Sequence, residues 1–209
     1  MQNPTRSVPQ PATLTDWMRS HFKSVLDAVG GVLNRLGFSP NAITLLGLAG
    51  AFAGAVCLAF GAIPLGGLVI LFSGALDGLD GTLARLQGKV SKFGAFLDSV
   101  SDRWSELFLF GGLILWFSFH SDVLGVFLTF AAAAGSVMVS YVKARAEGLG
   151  MECKVGLLTR MERYFVLCPA LLLNIPLLGV GLVAVLGIFT ALQRMWHVRG
   201  QARLAETDR

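Results

Sequence analysis

The sequence predicts an all-α integral membrane protein, with six transmembrane helices preceded by an amphipathic juxtamembrane helix. Three observations carry this. Of 209 residues, 54% are hydrophobic and only 14% charged, where a soluble domain carries about 25% charge. Apolar runs near the length of a bilayer crossing alternate with short polar junctions. Of the 17 Lys and Arg, all but Arg103 fall in or beside the N-terminal segment, the junctions after the second and fourth apolar runs, or the C-terminal end. The other junctions have none, as the positive-inside rule requires.

The elements follow in order. Residues 1–12 are polar with three prolines and are expected to be a disordered tail without signal-peptide character. Over 13–36, Leu14, Trp17, Met18, Phe22, Val25, Val29, Val32, Leu33 and Leu36 recur at helical spacing, with Arg19, Lys23, Asp27 and Arg35 on other faces. This predicts a basic amphipathic helix lying in the membrane interface; a helix that docks a soluble partner is the other reading. A transmembrane domain is expected over 37–199. Ser39-Pro40 starts its first span as N-cap and N1, and Gly61-Ala-Ile-Pro64 turns the chain. The second span is expected from about Leu65 to Leu86 and the third from Ser91, a candidate N-cap, to Phe119. After His120-Ser-Asp122, the fourth runs from Val123 and projects past the bilayer near Glu147. A polar loop, Gly148–Arg160, leads to Met161-Glu-Arg163 and the fifth span. Asn174-Ile-Pro176 turns into the sixth, expected to end near Arg194, with a polar tail over 200–209. Six spans put both termini on one side, and the basic junctions make that side cytoplasmic.

Composition also excludes functions. A net charge of +4 and a pI near 9.3 come without a basic stripe, interleaved aromatics or a nucleic-acid motif, so no nucleic-acid partner is expected. The partner of the basic junctions is the lipid bilayer. Cys57, Cys153 and Cys168 have neither disulfide-framework nor zinc spacing and read as small apolar residues. His21, His120 and His197 are equally scattered.

The chemistry-bearing stretch is 77–102. Asp77 and Asp80 are three apart; Asp98 and Asp102 are four apart. On helices each pair projects from one face, and Asp77 lies about 18 Å along its span, inside a hydrocarbon core about 30 Å thick. Two such faces together make a four-carboxylate cage, whose repulsion in a low dielectric calls for a cation. Oxygen ligands without His or Cys select a hard ion: Mg2+, or else Mn2+ or Ca2+.

The full spacing, D-x2-D-G-x2-A-R-x8-G-x3-D-x3-D, fixes eight residues over 26 positions. In this it resembles the CDP-alcohol phosphotransferase family, and the resemblance extends over about Leu36 to Arg199. It implies a phospholipid-synthesis enzyme of the cell membrane, commonly a homodimer, that takes CDP-diacylglycerol and releases CMP. The cofactor implied is Mg2+, with Mn2+ possible. The resemblance assigns Asp77, Asp80 and Asp98 to metal and makes Asp102 the general base beside a second ion; a fourth pure ligand is the alternative for Asp102. It places the CDP-lipid against Asn41, Thr44, Gly81, Arg85, Ser91 and Gly94. For Asn41 and Thr44 the alternative is hydrogen bonding at a helix N-terminus, and for Arg85 an interfacial anchor.

The stretch Ser140-Tyr-Val-Lys143-Ala-Arg-Ala-Glu147, with Glu162-Arg163 and Leu192-Gln-Arg194, looks like the branch that uses inositol phosphate, although Met161 stands where relatives often have Pro. That branch implies Ser140, Lys143, Arg163 and Arg194 around the phosphate of a small phosphorylated alcohol acceptor. The same cations also read simply as positive-inside residues. Glycerol 3-phosphate is the rival acceptor. Outside this class, the acids could line a cation or proton pathway, but past Glu106 the third span offers only Ser118 and His120, so the path looks closed.

Overall fold

The computed structural model describes residues 26–207, and side chains as far as Leu204. The expected tail over 1–12 and the first half of the interfacial helix lie outside the described residues. Those that are described form seven helices and no strand: α1 (26–35), α2 (Pro40–Ala59), α3 (Ile63–Leu86), α4 (Lys92–Phe119), α5 (Val123–Gly148), α6 (Arg160–Leu172) and α7 (Pro176–Thr207). Four of them, α2, α3, α5 and α7, are long and apolar enough to cross a membrane. The chain is therefore a multi-pass membrane protein. Helix α4 has the length but carries Asp98, Asp102, Arg103 and Glu106 in its first half.

One device closes all of helices α1 to α6. The second residue after each helix adopts a left-handed conformation, at Gly37, Gly61, Gly88, Ser121, Gly150 and Asn174. Around each, a pair of backbone hydrogen bonds of the Schellman type forms: Gly61 N–H donates to Leu58 O, and Ala62 N–H to Cys57 O. The starts are capped by side chains where the sequence placed them. Ser39 Oγ accepts from Ala42 N–H, and Ser91 Oγ from Gly94 N–H.

Between helices in lipid there is no hydrophobic drive, so close backbone approach and dispersion hold the bundle. Helix α2 packs on α3 and α4, α5 on α4 and α7, and α6 on α3 and α7. Small residues make the seams. A Cβ on Gly112 would lie 2.4 Å from Ala55 O, and one on Gly67 would lie 2.6 Å from Leu171 Cβ. The core runs through Leu58, Ile70, Phe110, Leu113, Leu171 and Val180. A second, smaller cluster of Ile43, Leu79 and Leu83 receives Leu26 and Leu33 of α1. Val29 and Val32 of α1, and Leu36 just past its end, stay exposed.

One expected boundary is corrected. The last helix does not end near Arg194 and leave a polar tail from residue 200; it continues to Thr207. No proline interrupts it, and Gln201 Nε2 donates to Glu152 O at 2.7 Å, anchoring the extension to the preceding loop. Helix α6 has only 13 residues, about 20 Å. The reason lies in the segment before it, which folds back into the bundle instead of staying in water. Cys153 and Leu158 are buried there, Leu158 N–H donates to Thr190 Oγ1, and Arg194 grips Val155 O. Helix α6 thus begins inside the protein.

Candidate active site

Helices α3 and α4 bring the two acidic faces together as their spacing requires. Oxygens of Asp77, Asp98 and Asp102 lie within 4.8 Å of one another. Gly47 of α2 makes room for this: a Cβ there would meet Ser73 O at 3.3 Å and Asp77 N at 3.6 Å. Asp80 is placed differently. Its Oδ2 accepts from Thr44 Oγ1 at 2.6 Å, and its Oδ1 faces its neighbour Gly81 N–H. Asp80 thus stands outside the group of three converging carboxylates, tied to α2 through Thr44.

The residue that sequence reading missed is Arg160, the first residue of α6. Its Nη2 meets Asp77 Oδ2 at 2.7 Å and its Nη1 meets Asp102 Oδ1 at 2.5 Å. A single guanidinium bridges the carboxylates of both helices, and it stacks 5.4 Å above the Tyr164 ring. Asp102 Oδ1, though in this ion contact, is a buried oxygen with no hydrogen bond of normal geometry. Arg103 closes the far side, 3.6 Å from Asp102 Oδ2 and 3.5 Å from Glu106 Oε2. Three converging carboxylates and no His or Cys among them suit a hard divalent cation such as Mg2+ or Mn2+.

The residues expected to hold the CDP-lipid differ in exposure. Asn41, Arg85 and Ser91 are exposed. A Cβ on Gly81 would meet only Arg85 Nη1, at 3.6 Å, so the surface above Gly81 is open to a ligand. Arg85 itself hydrogen-bonds Thr82 Oγ1. Thr44 is buried and turned to Asp80. Leu71, Ala75, Tyr164, Phe165 and Pro169 line an apolar groove of about 390 Å³ between α3 and α6, and Arg160 is its one charged lining residue.

The four residues expected around the acceptor phosphate are not all brought together. Ser140 and Lys143 sit on α5, Ser140 bonded to Ser136 O and Lys143 exposed beside Glu147. Arg194 reaches the same turn of α5, with Nη1 on Val139 O at 2.5 Å. Arg163 departs from them. It is 1% exposed and donates to Glu106 Oε1 from Nε at 2.9 Å and Nη2 at 2.5 Å, and to Leu158 O from Nη1. A signal for this pairing was present: Glu106 lies one turn past Asp102 inside an apolar run, where an acid needs a cation.

Comparison with known proteins agrees with this geometry. The profile of the CDP-alcohol phosphatidyltransferase family matches residues 38–196. The archaetidylinositol phosphate synthase of Pyrococcus horikoshii is 37% identical over 188 residues, covering 87% of this chain and 95% of that protein. The phosphatidylinositol phosphate synthase of Streptomyces avermitilis is 37% identical over 214 residues, covering 94% and 86%. Among solved structures, the Mycobacterium tuberculosis phosphatidylinositol phosphate synthase with CDP-DAG bound superposes with a TM-score of 0.78 at 32% identity, covering 84% of this chain and 94% of that one. The same enzyme in complex with manganese and citrate matches with the same TM-score. The chain therefore belongs to the CDP-alcohol phosphatidyltransferase family.

Proposed function

We propose that this protein transfers the phosphatidyl group of CDP-diacylglycerol to a hydroxyl of inositol phosphate, giving a phosphatidylinositol phosphate and CMP. The observation that carries the reading is the convergence of Asp77, Asp98 and Asp102 beneath Arg160, at the end of an apolar groove. Relatives named for inositol phosphate products, bacterial and archaeal alike, support the acceptor.

In this reading Asp77, Asp80, Asp98 and Asp102 hold divalent metal, which when bound neutralises the pyrophosphate and its leaving phosphate. The residues of the chain do the rest. The groove between α3 and α6 takes acyl chain, while Asn41, Gly81, Arg85, Ser91 and Gly94 hold the nucleotide. Asp102 accepts the proton of the acceptor hydroxyl as its oxygen attacks the lipid-side phosphorus. The bond from that phosphorus to the bridging oxygen breaks, and CMP leaves with the electron pair. Ser140, Lys143 and Arg194 orient the acceptor, with Arg160 as the cation nearest the reacting phosphates. Glycerol 3-phosphate offers the same phosphate, and ring-hydroxyl contacts separate the two.

The reading includes six crossings, with α4 and α6 completing the four apolar helices. It places N- and C-termini and the cage on the cytoplasmic side of the plasma membrane, supported by the segregation of Lys and Arg. It includes a homodimer, an inference from family membership. Purified protein given CDP-diacylglycerol with inositol phosphate or glycerol 3-phosphate tests it. CMP should appear only with Mg2+ or Mn2+, at higher kcat/KM for inositol phosphate. CMP release in chelator would remove the metal mechanism; preference for glycerol 3-phosphate would change the acceptor alone.

A further inference from the structure

We infer that Glu106 and Arg163 are positioning residues: a sealed ion pair that sets the register of α6 on α4 and so holds Arg160 over the carboxylates. This rests on the cage being the site of metal and transfer, as proposed above.

Helices α4 and α6 present acids and bases at matching intervals. Asp102 and Glu106 are one turn apart on α4; Arg160 and Arg163 are one turn apart on α6. Two rungs result. The outer rung joins Arg160 to Asp102 at 2.5 Å, with side chains 24% and 15% exposed. The inner rung joins Arg163 to Glu106 at 2.5 Å, with side chains 1% and 4% exposed. Arg103 spans both, reaching Asp102 and Glu106 from the side.

The inner rung is closed to any substrate, so its role is internal. It is a costly device for stability alone, because well-packed apolar residues commonly replace a buried ion pair without loss. Its distinctive property is register. A slip of α6 by one turn, about 5.4 Å, would bring Arg163 to Asp102 or Arg160 to Glu106, exchanging partners between rungs. The fork of Arg163 opposes this by donating twice to one oxygen of Glu106 and once to Leu158 O, which fixes the residues just before α6. Removing the inner rung frees Arg160 to leave Asp77 and Asp102.

The sign of one measurement separates positioning from support of the fold. Arg160 and a divalent cation draw on the same carboxylates, so a displaced Arg160 leaves them more available. Mn2+ binding to the full-length apo protein is followed by electron paramagnetic resonance, for wild type, Arg160→Ala, the double variant Glu106→Gln/Arg163→Met, and the triple variant. Damaged packing weakens Mn2+ binding. Positioning predicts the opposite: the double variant binds roughly tenfold tighter, the scale of one charge-assisted contact, and matches Arg160→Ala. The triple variant should gain nothing over Arg160→Ala. Weaker or unchanged Mn2+ binding in the double variant, or an additive gain in the triple, overturns the inference. Should the double variant not fold, Arg163→Lys keeps the charge without the fork and should show a smaller gain that again vanishes with Arg160→Ala. Failure of the wild type to release CMP would overturn the proposed function and leave this binding cycle readable.

Discussion

Thr44→Val asks whether Thr44 serves Asp80 or the nucleotide. The Thr44 hydroxyl is 2.6 Å from Asp80 Oδ2, with the two residues 2% and 9% exposed. Valine keeps the shape and removes the donor. A hydrogen bond to a charged group contributes about 1.5–3 kcal/mol, and at 1.4 kcal/mol per decade that is roughly 10- to 150-fold in an equilibrium. Loss of an outer partner of a metal ligand weakens metal binding about 10- to 100-fold, so the two routes agree. The assay is Mn2+ titration of apo protein, paired with the CDP-diacylglycerol KM at saturating metal. Thr44→Val should weaken Mn2+ binding by at least roughly tenfold and leave that KM nearly unchanged, and Thr44→Ser should recover most of the loss. Unchanged Mn2+ binding with a raised KM would refute the reasoning and return Thr44 to the nucleotide.

Asp98→Asn should lose Mn2+ binding together with turnover, whereas Asp102→Asn should lower kcat far more than CDP-lipid affinity, because a base acts mainly in the transition state; binding and kinetics measured on each variant decide. Gly112→Ala should cost about 1–3 kcal/mol, read as a lower unfolding temperature in detergent, because its Cβ meets the Ala55 backbone; Gly111→Ala, with nothing within 4 Å, should be silent. Cysteines placed at Ala62 and Ser121 should label from outside and those at Lys89 and Gly200 from the cytoplasm. The labelling is done with Cys57 replaced by Ala, since it is half-buried, while Cys153 is buried and burial pushes its thiol pKa up.

The cage was legible in part because helical spacing puts Asp98 and Asp102 on one face of α4, while their meeting with Asp77 of α3 depends on α2 packing against both helices; the turns were legible from Gly61-Ala-Ile-Pro64 and Asn174-Ile-Pro176. Thr44 was seen as a candidate, but its partner 36 residues away became visible only once α2 lay on α3. Arg160 was hidden because it ends a polar loop between apolar runs, where cations are expected to face water. That the loop turns inward depends on Arg194 and Thr190 capturing its backbone, contacts no local pattern encodes. The length of α7 was hidden for a related reason. Gln201 and Arg203 read as a tail by polarity, although nothing in them breaks a helix.

The groove between α3 and α6 has a consequence for traffic. Leu71, Phe165 and Pro169 give it an apolar wall, while Asn41, Arg85 and Ser91, none of which lines it, stand exposed. In the proposed reaction the two substrates come from different phases, one by diffusion in the plane of the bilayer and one through water. The products separate the same way, the new lipid sideways and the nucleotide into solution. Neither product has to pass the other's doorway, so clearing the lipid does not wait on the nucleotide. Accumulation of one product in its own phase then leaves the other exit open.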